Sequence, residues 1–187
     1  MRKAKQAVVS RLASTLVLLL PLLSCGGSGP PPVPQDKETE RSIEFVDLAS
    51  LDAALAKHQG EGMLLNFWAI WCAPCVAELP ELLEVGEHWH ERGGRVVGIS
   101  YDLMVAGADT DEVLARMEQF LEKRGHHFPV LIYDDADYSG INERYDLAGP
   151  IPVTLAIDKT GRVVDRQDGS AGRERFEEMM RKALGEQ

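Results

Sequence analysis

The stretch NFWAIWCAPCVAELPEL carries two cysteines three positions apart, and the chain's third cysteine, Cys25, lies far back towards the N-terminus. Thiols placed like Cys72 and Cys75 can act as a structural staple, as half of a metal site, or as a reactive pair. A staple closing so short a loop contributes only about 2 kcal/mol by chain entropy, which a domain of this length does not need. A tetrahedral zinc site requires further ligands, which would have to come from His58, His88, His90, His126 or His127. No second Cys-x-x-Cys is present, and His88 and His90, two apart on an expected helix, point in different directions. Redox exchange explains more of the pattern. Cys72 falls at the start of a helix, where free N–H groups and the helix dipole stabilise a thiolate. Cys75 follows nearly one turn on, its sulfur beside the first. Pro74 sits in the first turn, where its missing N–H costs nothing. In this reading Cys72 attacks a partner's disulfide and Cys75 resolves the mixed disulfide by attacking Cys72.

The elements that must hold this pair alternate along the chain. SIEFVDLASLDAALAKHQG predicts a short extended piece and then a helix with Ser50 as its N-cap. MLLNFWA is a continuous apolar run of the kind buried on both faces of a sheet. CAPCVAELPELLEVGEHWHERGG predicts a helix ended by its glycines, RVVGISYD a second strand, and DTDEVLARMEQFLEKRG a helix whose acidic first turn and basic last turn suit its dipole. FPVLIYD predicts a third strand and YSGINERYDL a short helix. VTLAID and RVVDRQ flank a turn containing Gly161, a hairpin signal, and GRERFEEMMRKAL closes as an amphipathic helix. The sum is an α/β fold, a central mixed sheet with helices on both faces, over residues 43–187.

With these elements in place, the run Asn66-Phe67-Trp68-Ala69-x-Trp71-Cys72-x-Pro74-Cys75-x-x-Glu78-x-Pro80-x-Leu82 resembles the thioredoxin superfamily, in particular the TlpA/ResA-like membrane-tethered thiol–disulfide oxidoreductases. The resemblance extends loosely from about residue 43 to 183. It implies a thioredoxin-like fold, no metal and no organic cofactor. It also accounts for Pro80, whose place inside a helix is otherwise costly. A second landmark of the family is a cis-proline facing the disulfide, and IPVTLAID makes Pro152 the match, with Ile151 before it offering its backbone to an extended peptide. GPIP carries one residue and one proline more than the family pattern, so Pro150 competes for that place. Where thioredoxin has a buried aspartate, this chain has Asn66. The resemblance instead assigns the proton-handling carboxylate to Glu78, one turn from Cys75, with a solvated helix glutamate as the bland alternative. Trp68 is expected in the sheet core, Trp71 on the rim of the site, and His126 and His127 on a surface loop.

The N-terminus predicts that the domain is exported from the cytoplasm. A basic start, MRKAKQAVVSR, leads into LASTLVLLLPLL, too short to span about 30 Å of hydrocarbon. Leu22-Leu23-Ser24-Cys25 then resembles a bacterial lipoprotein signal, which makes residues 1–24 a signal peptide and Cys25 the lipidated first residue of the mature chain; a signal cleaved near Ser24 or an uncleaved anchor is the plainer alternative. Residues 25–42, rich in Gly and Pro, read as a flexible linker. Its 17 residues after Cys25, at about 3 Å each, reach up to about 50 Å from a membrane. The formal charge is −10; four of the 20 basic residues precede Cys25, and without them 16 face 30 acidic residues, a charge of −14. Nucleic acid is therefore excluded as a partner.

Together these features predict an exported, lipid-anchored, monomeric oxidoreductase on the periplasmic side of a bacterial envelope. It would exchange disulfides with exported proteins, drawing electrons from a membrane thiol carrier, with apocytochrome c as a partner suggested by the resemblance. A peroxide-reducing relative would need Pro-x-x-x-Thr-x-x-Cys, where this chain has Ile-Trp before Cys72. A copper-binding module would need Cys-x-x-x-Cys. A scaffold lipoprotein would keep the fold without turnover.

Overall fold

Seven consecutive residues, Gly62–Trp68, are buried without exception, the signature of a strand with neighbours on both sides and helices on both faces. The computed structural model describes residues 42–186; the expected signal segment, Cys25 and all but the last residue of the linker lie outside the described residues. The strands are β1 (Ile43–Val46), β2 (Gly62–Trp68), β3 (Gly94–Ser100), β4 (Val130–Tyr133), β5 (Val153–Ile157) and β6 (Val163–Asp168), and the helices are α1 (Leu48–Ala56), α2 (Ala73–Trp89), α3 (Thr110–Arg124), α4 (Tyr138–Arg144) and α5 (Arg173–Leu184). The sheet order is β1-β4-β3-β2-β5-β6. Strands β1 to β4 pair in parallel, while β5 runs antiparallel to β2 and β6 antiparallel to β5. This is the thioredoxin-like mixed sheet expected from the sequence.

Successive residues of β2 point to opposite faces, and their contacts sort the helices. Phe67 meets Tyr145, just past α4, at 5.2 Å between ring centroids. Asn66 and Trp68 face the other way, towards α2 and α3: Trp68 packs on Phe120 of α3 at 5.7 Å and on Phe128 at 6.0 Å. The steps β2 to β3 and β3 to β4 proceed in the same direction across the sheet, so right-handed crossovers put α2 and α3 on one face. Gly98 is required beneath Trp68, because a Cβ there would lie 2.6 Å from Trp68 Nε1. Helix α5 packs on β2 through Gly62, where a Cβ would meet the Ala183 backbone at 2.9 Å.

Three of the differences between expected and observed element boundaries have a clear local reason. The N-cap of α1 is Asp47, not Ser50. The Asp47 carboxylate accepts the Ser50 amide at 2.7 Å while the Ser50 hydroxyl accepts the Asp47 amide at 3.0 Å, so Ser50 is the return half of a capping box. Helix α2 stops at Trp89, and a 3₁₀ turn, His90–Arg92, leads to Gly93 at φ 82°, before Gly94 opens β3. Strand β3 ends at Ser100, and Asp102, expected at its end, begins a 3₁₀ turn. The β5–β6 hairpin turns through Gly161 at φ 85°, as expected. Among the described residues no helix is long and apolar enough to cross a membrane.

Candidate active site

The site forms where β2 gives way to α2, at the carboxyl end of the parallel strands. Cys72 is the N-cap of α2, in an extended conformation, and its Sγ accepts the Cys75 amide at 3.3 Å. A thiolate at Cys72 would receive that N–H, which is the local reason for an acidic thiol here. Pro74 lies in the first turn of the helix, where it removes no hydrogen bond. The sulfurs of Cys72 and Cys75 are joined in a disulfide of 2.02 Å, with the Cα atoms 5.3 Å apart. The two are not equivalent: Cys72 retains 6% exposure and Cys75 none.

Around the outer sulfur the rim is built from three segments. Trp71 is 51% exposed beside Cys72. Across from it, the Ile151 carbonyl lies 3.7 Å from Cys72 Sγ. The Ile151–Pro152 peptide is the cis bond of this loop, so Pro152 and not Pro150 occupies that position. Pro74, Pro150, Ile151 and Pro152 line an open groove together with the Arg166–Asp168 ion pair.

One turn along α2 from Cys75 lies a buried polar network. Glu78, 4% exposed, is not a solvated helix carboxylate. Its Oε1 accepts Asn66 Nδ2 at 3.0 Å and its Oε2 accepts the Ala171 amide at 3.1 Å. Burial raises its pKa to about 7 against these two hydrogen bonds, which lower it. Asn66 also donates to Thr154 Oγ1 at 2.9 Å, tying β2 to β5, while its own Oδ1 is buried without a hydrogen-bond partner. Pro80 stands inside α2, which runs on through it to Trp89; the amide it lacks leaves one carbonyl of the preceding turn without its helical donor.

Thus Cys72, Trp71, Pro74 and Ile151 form the outer part of the site, Cys75 and Pro152 are buried behind them, and Asn66 and Glu78 meet through a hydrogen bond. Trp68 is wholly buried in the sheet. His126 is half-buried rather than on the surface, its ring 6.2 Å from Phe120. Sequence reasoning missed Thr154 and the Ala171 amide. Thr154 left a trace, as the polar residue in the otherwise apolar run VTLAI. The Ala171 contact left none, since it joins residues 93 apart.

Comparison with known proteins agrees with this geometry. The AhpC/TSA family model matches residues 41–166. The chain is 31% identical over 137 residues to the thiol–disulfide oxidoreductase ResA of Bacillus thuringiensis (strain Al Hakam), covering 73% of this chain and 72% of that one. It is 30% identical over 139 residues to ResA of Geobacillus kaustophilus (strain HTA426), covering 74% and 72%. The structure of a thiol:disulfide interchange protein of the thioredoxin family from Chlorobium tepidum TLS superposes with a TM-score of 0.57 at 26% identity, covering 70% of this chain and 85% of that one. The chain belongs to the AhpC/TSA family of thioredoxin-like proteins, as a thiol–disulfide oxidoreductase of the ResA type.

Proposed function

We propose that Cys72 and Cys75 are the redox couple through which this protein reduces disulfides of exported proteins. The observation that carries the reading is the asymmetry of the pair: an outer sulfur at a helix N-terminus, 3.7 Å from the Ile151 carbonyl, and an inner sulfur with no exposure. In the reduced protein, the Cys72 thiolate attacks one sulfur of the partner's disulfide, forming a mixed disulfide and expelling the partner's first thiolate. Glu78, one turn along α2 from Cys75 and titrating near neutrality, takes the Cys75 proton. The Cys75 thiolate then attacks Cys72 Sγ and expels the partner's second thiolate, which leaves with a proton. Two electrons have passed to the partner, and the Cys72–Cys75 disulfide remains. Trp71, Pro74, Pro152 and the Ile151 backbone shape the surface on which the partner lies, and Asn66 holds Glu78.

A regenerating reductant follows from this cycle. In our reading it is a membrane thiol carrier, reached by an exported domain held on a lipidated Cys25 and the linker of residues 25–42, on the periplasmic side and as a monomer. Apocytochrome c, with its paired cysteines, is a partner of suitable chemistry. The test is trapping: full-length protein with Cys75→Ser cannot resolve the mixed disulfide. Incubated with a disulfide-bearing protein such as insulin, it is expected to accumulate a dithiothreitol-sensitive adduct through Cys72. An adduct that forms equally with Cys72→Ser, or none with either variant, would contradict the assignment.

A further inference from the structure

Among the described residues five polar or charged side chains are buried, and they fall into two groups on opposite sides of the cysteine turn. Asn66, Glu78 and Thr154 form the hydrogen-bonded network described above. The other two, Ser100 and Asp102, bond to each other. Ser100 Oγ donates to Asp102 Oδ2 at 2.7 Å and accepts the Asp102 amide at 3.1 Å. The Asp102 carboxylate, 3% exposed, accepts the Ile70 amide with both oxygens, at 3.0 and 3.2 Å. Arg116 of α3 is the cation whose field reaches it, and burial raises its pKa.

A buried carboxylate is a poor choice for stability alone, because a well-packed apolar side chain often does as well or better. Its position suggests a different use. Residues 69–72 form the turn between β2 and α2, closed by the Cys72 amide on the Ala69 carbonyl at 3.1 Å. At its base the Tyr101 amide holds the Trp68 carbonyl at 2.8 Å. Between these points the Ile70 amide is held by Asp102, from another strand's end 32 residues away. Trp71 and Cys72 follow directly.

We propose that Asp102 is a positioning residue for disulfide exchange: by holding the Ile70 amide it fixes the turn that presents Trp71 and Cys72 Sγ to an incoming protein disulfide. The inference rests on the exchange reading above. Attack between sulfurs is an in-line displacement, and misplacement by about 1 Å can cost about a hundredfold in rate.

The experiment compares reduced full-length wild type, Asp102→Ala, Asp102→Asn and Ser100→Ala in the reduction of insulin disulfides. Asp102→Ala removes the acceptor and is expected to slow exchange about tenfold or more. Asp102→Asn removes the charge but keeps an oxygen for the Ile70 amide, and is expected to stay within about threefold of wild type. Ser100→Ala, which frees one side of the carboxylate, is expected to fall between them. Asp102→Ala at the wild-type rate, or Asp102→Asn as slow as Asp102→Ala, overturns the proposal; the second result would mean that charge acts and not the acceptor. Should Asp102→Ala fail to fold, the other two variants decide. Slowing by Ser100→Ala with rescue by Asp102→Asn supports the proposal, and an unaltered Ser100→Ala or a slow Asp102→Asn overturns it. A wild type that reduces no insulin defeats the exchange reading itself, a result distinct from an active wild type matched by its variants.

Discussion

Asn66 in the centre of the sheet donates its side-chain amide to Glu78 on α2 at 3.0 Å, with both residues buried. This bond joins the strand that ends at the cysteine turn to the helix that begins there. It holds a carboxyl group with a pKa of about 7 one turn of helix from Cys75, and its consequences are measurable.

The first concerns pH. The Glu78 pKa rises from 4.5 in the unfolded chain to about 7 in the fold. Between these values the folded state keeps a proton that the unfolded chain has lost, so stability falls as pH rises from about 4.5 to 7, and the full cost stands above 7. Glu78→Gln removes that titration. Urea unfolding of the oxidised proteins is expected to give a variant-minus-wild-type difference that grows by up to about 3 kcal/mol between pH 4.5 and 8. Parallel pH profiles would show that Glu78 titrates normally.

Kinetics should register the same group. With Glu78 as the proton acceptor for Cys75, release of a partner from the mixed disulfide is expected to accelerate as pH rises through about 7. In Glu78→Gln that inflection should vanish and release at pH 8 should slow by roughly 10²-fold or more, the usual range for losing a general base. Stopped-flow measurement of partner release checks this, and an unchanged inflection would assign it to another group.

Asn66→Asp would place a second carboxyl within 3.0 Å of Glu78. Two such groups cannot both ionise without a large penalty, so one proton is shared at low pH and the conflict emerges above 7. The melting temperature of the variant is expected to fall further below wild type at pH 8 than at pH 5, by about 5 °C or more, given roughly 2–4 °C per kcal/mol at this size. Equal deficits at both pH values would mean that the pair does not interact.

Packing under Trp68 gives a test of the fold. A Cβ on Gly98 meets Trp68 Nε1 at 2.6 Å and Phe128 at 2.8 Å, whereas one on Gly149 meets nothing within 4 Å. Gly98→Ala is expected to cost about 1–3 kcal/mol in urea unfolding, and Gly149→Ala to be neutral or slightly stabilising. A neutral Gly98→Ala would mean that Trp68 can withdraw.

What was legible in the sequence was what local pattern encodes. The buried run of β2, the hairpin around Gly161, the helix behind Cys72 and the placing of Pro152 before β5 all depend on neighbours in the chain or on a motif that spans them. What was not legible depends on the sheet order. Thr154 is next to Asn66 only because β5 pairs with β2, 88 residues apart, and the Ala171 amide meets Glu78 only because the segment after β6 returns over α2. Asp102 read as the end of a strand, yet its short side chain turns back to the parallel neighbour's loop. The Ser50 assignment failed for a smaller reason: Asp47 and Ser50 both cap well, and their three-residue spacing is that of the two halves of one capping box.

The reduction potential of the Cys72–Cys75 couple tests the central claim most directly. Full-length protein is equilibrated in thiol/disulfide buffers and followed by tryptophan fluorescence, since Trp71 adjoins the disulfide and Trp68 lies in the sheet below. A reversible two-electron couple below about −200 mV is expected for a reductant of exported proteins. A potential near −120 mV, in the range of strong oxidants, would reverse the direction of electron flow, and the absence of any reversible couple would reduce the pair to a structural bridge.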